Sequence, residues 1–243
     1  IQFMKINLLS SIFFLFCISL FTYLGIWQLE RAKEKENIIS EFDSRKSISP
    51  IFIEDIKSSE KEFLNYRNVR LKGNFFEKFF LLDNKFHDKK VGFNVYVPFL
   101  IKNTKNVILV NLGWVDFDTN RKNISKRYAD LLTQNNILNI KEIDGFLYLM
   151  EEPYHIGDMD INEFWPRLIQ YIDFEQISDI FKNYNLIYDL TLVASSNISN
   201  FKNNFKIVNM THEKHLGYSA QWFGLAGIFF VIYLILFFRG RKQ

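Results

Sequence analysis

Hydrophobic residues are concentrated in two long segments near the ends of the chain, and shorter apolar runs are spread between them. The first long segment covers residues 6–27 and the second covers 217–238. Each has roughly 20 residues, which as a helix crosses a hydrocarbon core about 30 Å thick. The pattern predicts two transmembrane helices, an α+β domain over 28–214 between them, and a basic tail over 239–243.

The ends of the two spans predict the orientation of the chain. The first apolar run is longer than the core of a signal peptide, about 7–15 residues, and no small-residue cleavage site follows it, so we expect an uncleaved anchor. The tail is basic, and Lys5 flanks the other short end, with Met4 as a candidate start residue. Because basic flanks stay in the cytoplasm, both termini are expected there, with the domain outside. No Arg-rich presequence is visible, which favours a bacterial inner membrane.

Composition narrows the choice of partners. The net charge is only +3, and its most one-sided cluster is the short tail, so the lipid bilayer is an expected partner and nucleic acid is not. The single cysteine, Cys17, lies inside the first span. The domain therefore has no disulfide and must be stabilised by an ordinary core.

Strand-like patterns dominate the domain. Residues 66–75 alternate polar and apolar side chains, and 92–101 with 106–115 predict a hairpin. Pro98 cannot donate a ladder hydrogen bond, so its strand is expected to be at an edge or bulged there. Further strands are expected over 79–82, 137–150 and 186–195, and helices over 31–46, 121–133 and 174–183. The prediction is an α+β, mostly antiparallel-sheet domain.

Sequence motifs of the common enzyme classes are absent. The chain has no Gly-rich phosphate loop, no paired-histidine metal spacing, no nucleophile elbow and no Cys-x-x-Cys. A membrane-tethered hydrolase is therefore disfavoured, and we expect no catalytic residues. His87 and His155 lie in polar, turn-like contexts and are predicted to be surface residues.

His215 stands apart from the other histidines because it lies at the boundary of the second span, where ionisable side chains are functional candidates. At 100° per residue it shares a helix face with Tyr218, Ser219 and Trp222. Small residues lie nearly opposite, and they favour close helix packing: Gly217, Ala220, Gly224 and Gly227, with a weaker set in Ser11, Thr22 and Gly25. We expect the spans to pack through these small residues. The His215 face would then be free for a haem, with His212 as the weaker ligand candidate.

Three groups of residues, in order along the whole chain, resemble the Surf1 family. They are Gly25-Ile-Trp-Gln-Leu-x-Arg31, then Phe80-Leu-Leu-Asp-Asn84, Gly92-Phe-x-Val-x-x-Pro98 and Val110-Asn-x-Gly-Trp-Val115, and finally His215-Leu-x-Tyr-x-x-Gln-Trp-Phe223. The resemblance implies a non-enzymatic assembly factor for haem-copper cytochrome c oxidase, with two membrane helices around an extracytoplasmic domain. It also implies delivery of haem a to oxidase subunit I, together with other assembly factors.

The resemblance carries the family's histidine onto His215, as the ligand of haem iron, and its tryptophans onto Trp222 and Trp27. Tyr218 is a further candidate haem contact. The planar guanidinium group of Arg31 could form two parallel hydrogen bonds to a haem propionate. Simpler roles remain open: Trp27 as an interfacial anchor, Arg31 as a headgroup contact, and Gly25 as a packing residue.

This chain departs from the family pattern at two places. Leu112 stands where the family usually has an arginine, and Gly113-Trp114 is expected to be a bulge with a core tryptophan. The Pro- and Gly-rich approach to the second span is replaced by 203–212. Two other hypotheses remain: a scaffold for subunit I that holds no stable haem, and a two-span sensor or adhesive ectodomain.

Overall fold

A computed structural model of the chain describes residues 8–52, 61–117, 124–150, 164–195 and 201–241. Its elements in chain order are α1 (Leu8–Lys46), β1 (Ile51–Phe52), α2 (Lys61–Leu64), β2 (Asn68–Phe75), β3 (Phe80–His87), β4 (Lys90–Ile101), β5 (Asn106–Asp116), α3 (Ile124–Tyr128), α4 (Leu131–Gln134), β6 (Glu142–Leu149), β7 (Arg167–Ile169), α5 (Phe174–Ile180), β8 (Asn185–Ala194) and α6 (His212–Arg241). The chain divides into two units, which are described separately: Ile1–Glu41 with Lys206–Gln243, and Phe42–Phe205.

The first unit is a pair of long helices, made by α1 and α6. The most apolar window of each has a mean hydropathy of 2.1, and only 11% and 6% of the residues in these windows are buried. A core helix of a soluble protein would be mostly buried. Both helices are therefore long and apolar enough to cross a membrane, and their exposed apolar surface fits that setting. The helix expected over 31–46 is confirmed as a continuation of α1.

The second unit contains a closed barrel of five strands. Following the pairings from β2 leads through β6, β8, β5 and β4 and back to β2. The β5–β8 pair is parallel and the other four pairs of the ring are antiparallel. Outside the ring, β1 runs parallel to β2, β3 pairs with β4, and β7 adds to β3 in parallel. Closure gives β2 and β4 partners on both sides, so neither presents an open edge.

Alternating side chains fill the barrel and cover part of its outside. Every second residue of β2 points inward, including Val69 and Leu71, which are fully buried. In β5 both faces are buried: Ile108 and Val110 belong to the interior, and Leu109 packs outside against a layer that contains α5. The continuous apolar run of β5 therefore follows from burial on both faces.

Most of the elements expected from the sequence are present. The hairpin is confirmed as β4 and β5, and the strands expected over 66–75, 79–82 and 186–195 are β2, β3 and β8. The helix expected over 174–183 is α5. The stretch 137–150 instead begins with a short 3-10 turn before β6, and the described part of 121–133 holds two short helices.

The environment of Pro98 differs from the expected edge or bulge. Its strand is interior, and Pro98 pairs with Leu109 of β5. On its other side β4 pairs with β3 up to Tyr96 and with β2 from Phe99, and the Pro98 carbonyl accepts from Phe76 N–H at 3.0 Å. Since the nitrogen and carbonyl of one strand residue point the same way, the Pro98 nitrogen faces this junction, where a missing donor is tolerated.

A bulge on β5 explains the Gly-Trp pair. Val95 pairs with Gly113 and Tyr96 with Asn111, so Leu112 is an extra residue with no partner across the ladder. Gly113 has φ +120°, and a Cβ there would lie 2.8 Å from the Lys202 carbonyl oxygen. Trp114 is 1% exposed, which confirms the expected core tryptophan. Leu112 is 3% exposed and is buried in the barrel core.

Candidate functional site

The helix pair meets along one seam that contains His215. In α6 the buried or half-buried residues recur at spacings of three and four, as His215, Ser219, Trp222, Ala226 and Phe229. In α1 their partners are Phe14, Phe21, Gly25 and Gln28. His215, near the start of α6, contacts Gln28, whereas Phe229, further along α6, contacts Phe14 near the start of α1. The two helices are therefore antiparallel. This spacing is that of helices that pack side chain into groove.

The small residues of α6 lie outside this seam, so the expected mode of packing is wrong. A Cβ built on Gly217, Gly224 or Gly227 would meet nothing within 4 Å, and Ala220 is exposed. In α1, by contrast, Gly25 is buried, and a Cβ there would lie 2.8 Å from the Phe223 ring. The helices pack through the His215 face because its polar groups find partners there, which outweighs the closer approach that glycines permit.

His215 is held by a hydrogen bond to α1. Its Nδ1 lies 2.7 Å from Oε1 of Gln28, and the residue is only 7% exposed. Because an amide oxygen can only accept, a neutral His215 ring in this contact would carry its proton on Nδ1 and keep the lone pair on Nε2. Nε2 makes no hydrogen bond to any other described residue. Metal-ligating histidines commonly show this arrangement, in which the second ring nitrogen donates to a fixed acceptor.

One turn further along, a second polar contact joins the same helices. Ser219 Oγ donates to the Gly25 carbonyl oxygen at 2.9 Å, and Ser219 is 2% exposed. A hydroxyl that is buried in an apolar setting needs such a partner. The two bonds, His215–Gln28 and Ser219–Gly25, fix the register of α6 on α1 at this level.

The aromatic candidates divide between the seam and the surface. The ring of Trp222 stacks on Phe21 with centroids 5.8 Å apart, so it is part of the helix contact. Tyr218 and Trp27 are 45% and 39% exposed. The structure therefore brings His215 and Trp222 to one seam and leaves Tyr218 and Trp27 on the outer surface of the helix pair.

Arg31 already has partners within α1. Its guanidinium lies 5.7 Å from the centre of the Trp27 ring and 2.5 Å from Glu34 Oε2. Hydrogen bonds from Lys35 and Arg31 hold the pKa of Glu34 below its ordinary value. Arg31 is half exposed, so a propionate or a lipid phosphate would have to share it with the Glu34 carboxylate.

The remaining histidines offer no comparable site. His87 is half-buried beside Trp114, with ring centroids 5.2 Å apart, and differs from the expected surface residue in this respect. His212 Nε2 lies 3.4 Å from Glu213 Oε1 in the first turn of α6. His155 falls outside the described residues. No cluster of three potential metal ligands occurs among the residues that are described.

The donor chemistry around His215 suits haem iron, but neither of two cavities found among the described residues is lined by His215. With Nδ1 held by Gln28, the Nε2 of a neutral His215 would be the nitrogen that could ligate haem iron. One cavity, of about 450 Å³, belongs to the barrel unit. Its lining contains no histidine and consists of Phe75, Phe76, Glu77, Lys78, Ile180, Phe181, Lys182, Asn183 and Tyr184. The fit is therefore to the iron, and the ring would have to contact the outer surface of the helix pair.

Sequence reasoning missed the partners of His215. Gln28 appeared within the Gly-Ile-Trp-Gln motif without a role, and Ser219 was placed on the His215 face without a partner. A polar side chain at the end of an apolar span, such as Gln28, is itself a signal of an interhelical contact. The spacing of Phe14, Phe21, Gly25 and Gln28 at seven, four and three is a second signal.

Together these features define a class of protein with a five-stranded barrel between two apolar terminal helices and a polar seam where the helices meet. The family model of the SURF1 family matches residues 15–227, which include most of both helices and the whole barrel. The chain belongs to the SURF1 family.

Curated relatives agree with this assignment. A SURF1-like protein of Rickettsia prowazekii (strain Madrid E) is 31% identical over 245 aligned residues, which cover 96% of this chain and 89% of that protein. A SURF1-like protein of Rickettsia felis is 29% identical over 96% of both chains. The cytochrome oxidase assembly protein SHY1 of Saccharomyces cerevisiae is 30% identical over 96 residues, 38% of this chain and 24% of that protein.

Proposed function

We propose that this chain is a membrane-anchored assembly factor for cytochrome oxidase and not an enzyme. The observation that carries the proposal is the SURF1 family match over 15–227, because it includes most of α1, the barrel, and the first half of α6 with His215. The similarity to a yeast protein named as a cytochrome oxidase assembly protein supports the same role. Its partners would be oxidase subunit I and other assembly factors.

Within this role the chain would bind haem a through His215 and pass it to subunit I. Haem a, when bound, would supply an iron that a neutral imidazole nitrogen can ligate. The support is local: Gln28 holds the Nδ1 proton, which leaves Nε2 for iron. Tyr218 and Trp27 would contact the ring from the exposed surface, Trp222 would brace the seam, and Arg31 would pair with a propionate.

A second candidate is a scaffold that stabilises subunit I without stable haem. Its support is the burial of His215, which is only 7% exposed in the helix seam. In this case the bond to Gln28 would serve only to join the helices, and the exposed aromatic residues would contact the partner.

The orientation of the chain is part of the proposal. Both termini would be cytoplasmic in a bacterial inner membrane, because the tail after 238 is basic. A reporter active only outside the cytoplasm should be silent when fused after Gln243 and active when inserted at Asn103, in the turn between β4 and β5. Activity only at Gln243 would contradict this orientation.

Deletion and point variants separate the candidates. Deleting the chain should lower the level of assembled oxidase in membranes, and restoring the wild-type chain should return it; an unchanged level would overturn the assembly role.

Haem binding is tested separately: the chain is purified from cells that make haem a, and its visible spectrum is recorded. His215→Ala should abolish or shift the haem bands, while His87→Ala should not.

The two readouts have different meanings. If wild-type protein carries no haem but supports oxidase assembly, the scaffold role is correct. If His215→Ala retains full haem with an unchanged spectrum, the ligand assignment is wrong and His212→Ala is the next variant to test.

A further inference from the structure

We infer that Gln28 is a positioning residue for His215, which selects the Nδ1–H tautomer and so presents Nε2 as the nitrogen available to a ligand. The inference rests on the proposed function as far as haem is the ligand. The observation is the 2.7 Å contact between Gln28 Oε1 and His215 Nδ1 at a seam position that is almost closed to solvent.

The tautomer follows from the chemistry of the two groups. A neutral imidazole carries one ring proton, and free histidine in water favours Nε2–H. An amide oxygen opposite Nδ1 reverses this preference, because the bond exists only when Nδ1 carries the proton. In the apolar interior of a helix pair the loss of this bond would leave a buried polar group without a partner, so the preference is stronger than at a wet surface.

The position of Gln28 is itself fixed by the neighbouring contacts. Gly25, one turn before it in α1, accepts a hydrogen bond from Ser219 and lies against the Phe223 ring. These contacts, together with the stacking of Trp222 on Phe21, set the register of α6, so the distance between His215 and Gln28 does not depend on any single one of them. Gln28 is therefore placed by rigid elements, as an orienting partner of a ligand must be.

The chain offers a matched control for a merely structural role. Gln28→Leu removes one interhelical hydrogen bond and the acceptor for Nδ1. Ser219→Ala removes the other interhelical bond and leaves that acceptor in place. Gln28→Glu keeps an oxygen acceptor at the same position. A contact that only joins the helices would respond alike to Gln28→Leu and Ser219→Ala, whereas a positioning residue distinguishes them.

The test measures the tautomer directly, without haem. The full chain is labelled with ¹⁵N-histidine, reconstituted in lipid nanodiscs and studied by NMR at about pH 8.5, where free imidazole is neutral. The His215 signals are assigned by their loss in His215→Ala. Wild type, Ser219→Ala and Gln28→Glu should show a protonated Nδ1 and an unprotonated Nε2, and Gln28→Leu should shift the proton to Nε2. A wild type with Nε2–H, or a Gln28→Leu spectrum like wild type, would overturn the inference.

A second arm links the tautomer to the ligand. Each purified variant is titrated with haem a, and binding is followed by absorbance. Gln28→Leu should weaken binding by roughly 10- to 100-fold, the usual effect of removing such a partner, while Ser219→Ala and Gln28→Glu should stay within a few-fold of wild type. Equal binding by Gln28→Leu and wild type would contradict a role towards haem. If wild type binds no haem, the haem part of the proposed function fails, and the NMR arm still decides the role of Gln28.

Discussion

The barrel unit and the helix pair differ in the size of the apolar side chains that they bury. In the barrel most buried side chains are large and apolar, such as Leu71, Phe99 and Leu192, all at 0% exposure. Its buried polar residues are Asp83, Asn94, Asn111 and Thr191. In the helix pair the buried residues are small or polar: Cys17, Gly25, Ala32, His215, Ser219 and Ala226. Large apolar side chains lie on its surface, among them Leu9 and Phe16.

The difference follows from the solvent of each unit. In water, burying apolar area provides the main stabilisation, so large side chains move inside. In lipid there is no gain from hiding apolar surface, and helices associate through small residues and interhelical hydrogen bonds. The inverted pattern of the helix pair therefore supports a lipid environment for it, and it makes buried polar residues such as His215 the informative ones.

The largest effect is expected where the barrel closes. A Cβ added at Gly73 would overlap the Leu100 carbonyl oxygen of β4, and backbone atoms cannot give way. Gly73→Ala should therefore destabilise the barrel by about 3 kcal/mol or more and reduce the yield of folded protein. Gly224→Ala in α6 is the matched control, because its Cβ meets nothing within 4 Å. Thermal melting of the purified full chain in detergent compares them, and equal stability of the two variants would contradict the closed ring.

Truncating a leucine should have opposite consequences in the two units. Leu192 is fully buried in the barrel, so Leu192→Ala should lower the free energy of unfolding by about 2–5 kcal/mol. Leu216 is 46% exposed on α6, so Leu216→Ala should change it by less than about 0.5 kcal/mol. Chemical denaturation of the full chain, followed by tryptophan fluorescence, measures both. A large loss in the free energy of unfolding for Leu216→Ala would mean that this surface of α6 is packed against other protein residues.

A smaller effect is expected at the helix seam. Gly25→Ala places a Cβ 2.8 Å from the outer atoms of the Phe223 ring, which can turn aside. We expect a loss of about 1–2 kcal/mol in helix association, within the range for overpacking. Phe223→Ala in the same chain should restore most of it. Crosslinking between cysteines introduced near the ends of α1 and α6 reports the association, and no rescue by Phe223→Ala would mean that the two residues do not meet.

The local elements of the barrel were predictable because alternation and turn residues are local signals. The hairpin of β4 and β5 and the strand β8 follow from such patterns. The closure of the barrel could not be predicted, because it depends on pairings between residues far apart in sequence. The β2–β4 pairing joins Gly73 to Ile101, and the parallel β5–β8 pairing joins Asn106 to Asn185. No local pattern specifies either pairing. The position of Pro98 at the junction of two pairings depends on that closure and could not be inferred before it.

The site was half predictable for a similar reason. The motif placed His215 correctly at the start of α6, and the helical period grouped it with Ser219 and Trp222. The prediction that the helices pack through small residues of α6 is wrong, because buried polar groups require partners and find them on the His215 face. Gln28 and the Gly25 carbonyl supply those partners, and both were visible in the motif at the end of the first span.

The smallest effect is expected for an ion pair on the surface of the barrel unit, and it tests whether this surface is exposed to water. Arg70 on β2 and Asp144 on β6 form two hydrogen bonds of 2.6 and 2.7 Å across the ladder. The hydrogen bonding to Arg70 holds the pKa of the Asp144 carboxyl below its ordinary value. Because the folded pKa is depressed, the stabilisation is present above the ordinary aspartate pKa of about 3.9 and is lost as the pH falls through the folded pKa.

Asp144→Asn should therefore lower stability near pH 7 by about 0.2–1 kcal/mol, the range for an exposed pair, and the difference from wild type should shrink as the pH falls through the folded pKa of Asp144. Asp130→Asn is the control, since the Asp130 side chain makes no capping hydrogen bond to α4. Melting curves of the full chain at pH 7, 5 and 3 measure the trend. A difference that grows as the pH falls would contradict the sign of the pKa shift. A difference well above 1 kcal/mol at pH 7 would instead mean that the Arg70–Asp144 pair is shielded from water, which would weaken the contrast between the two units.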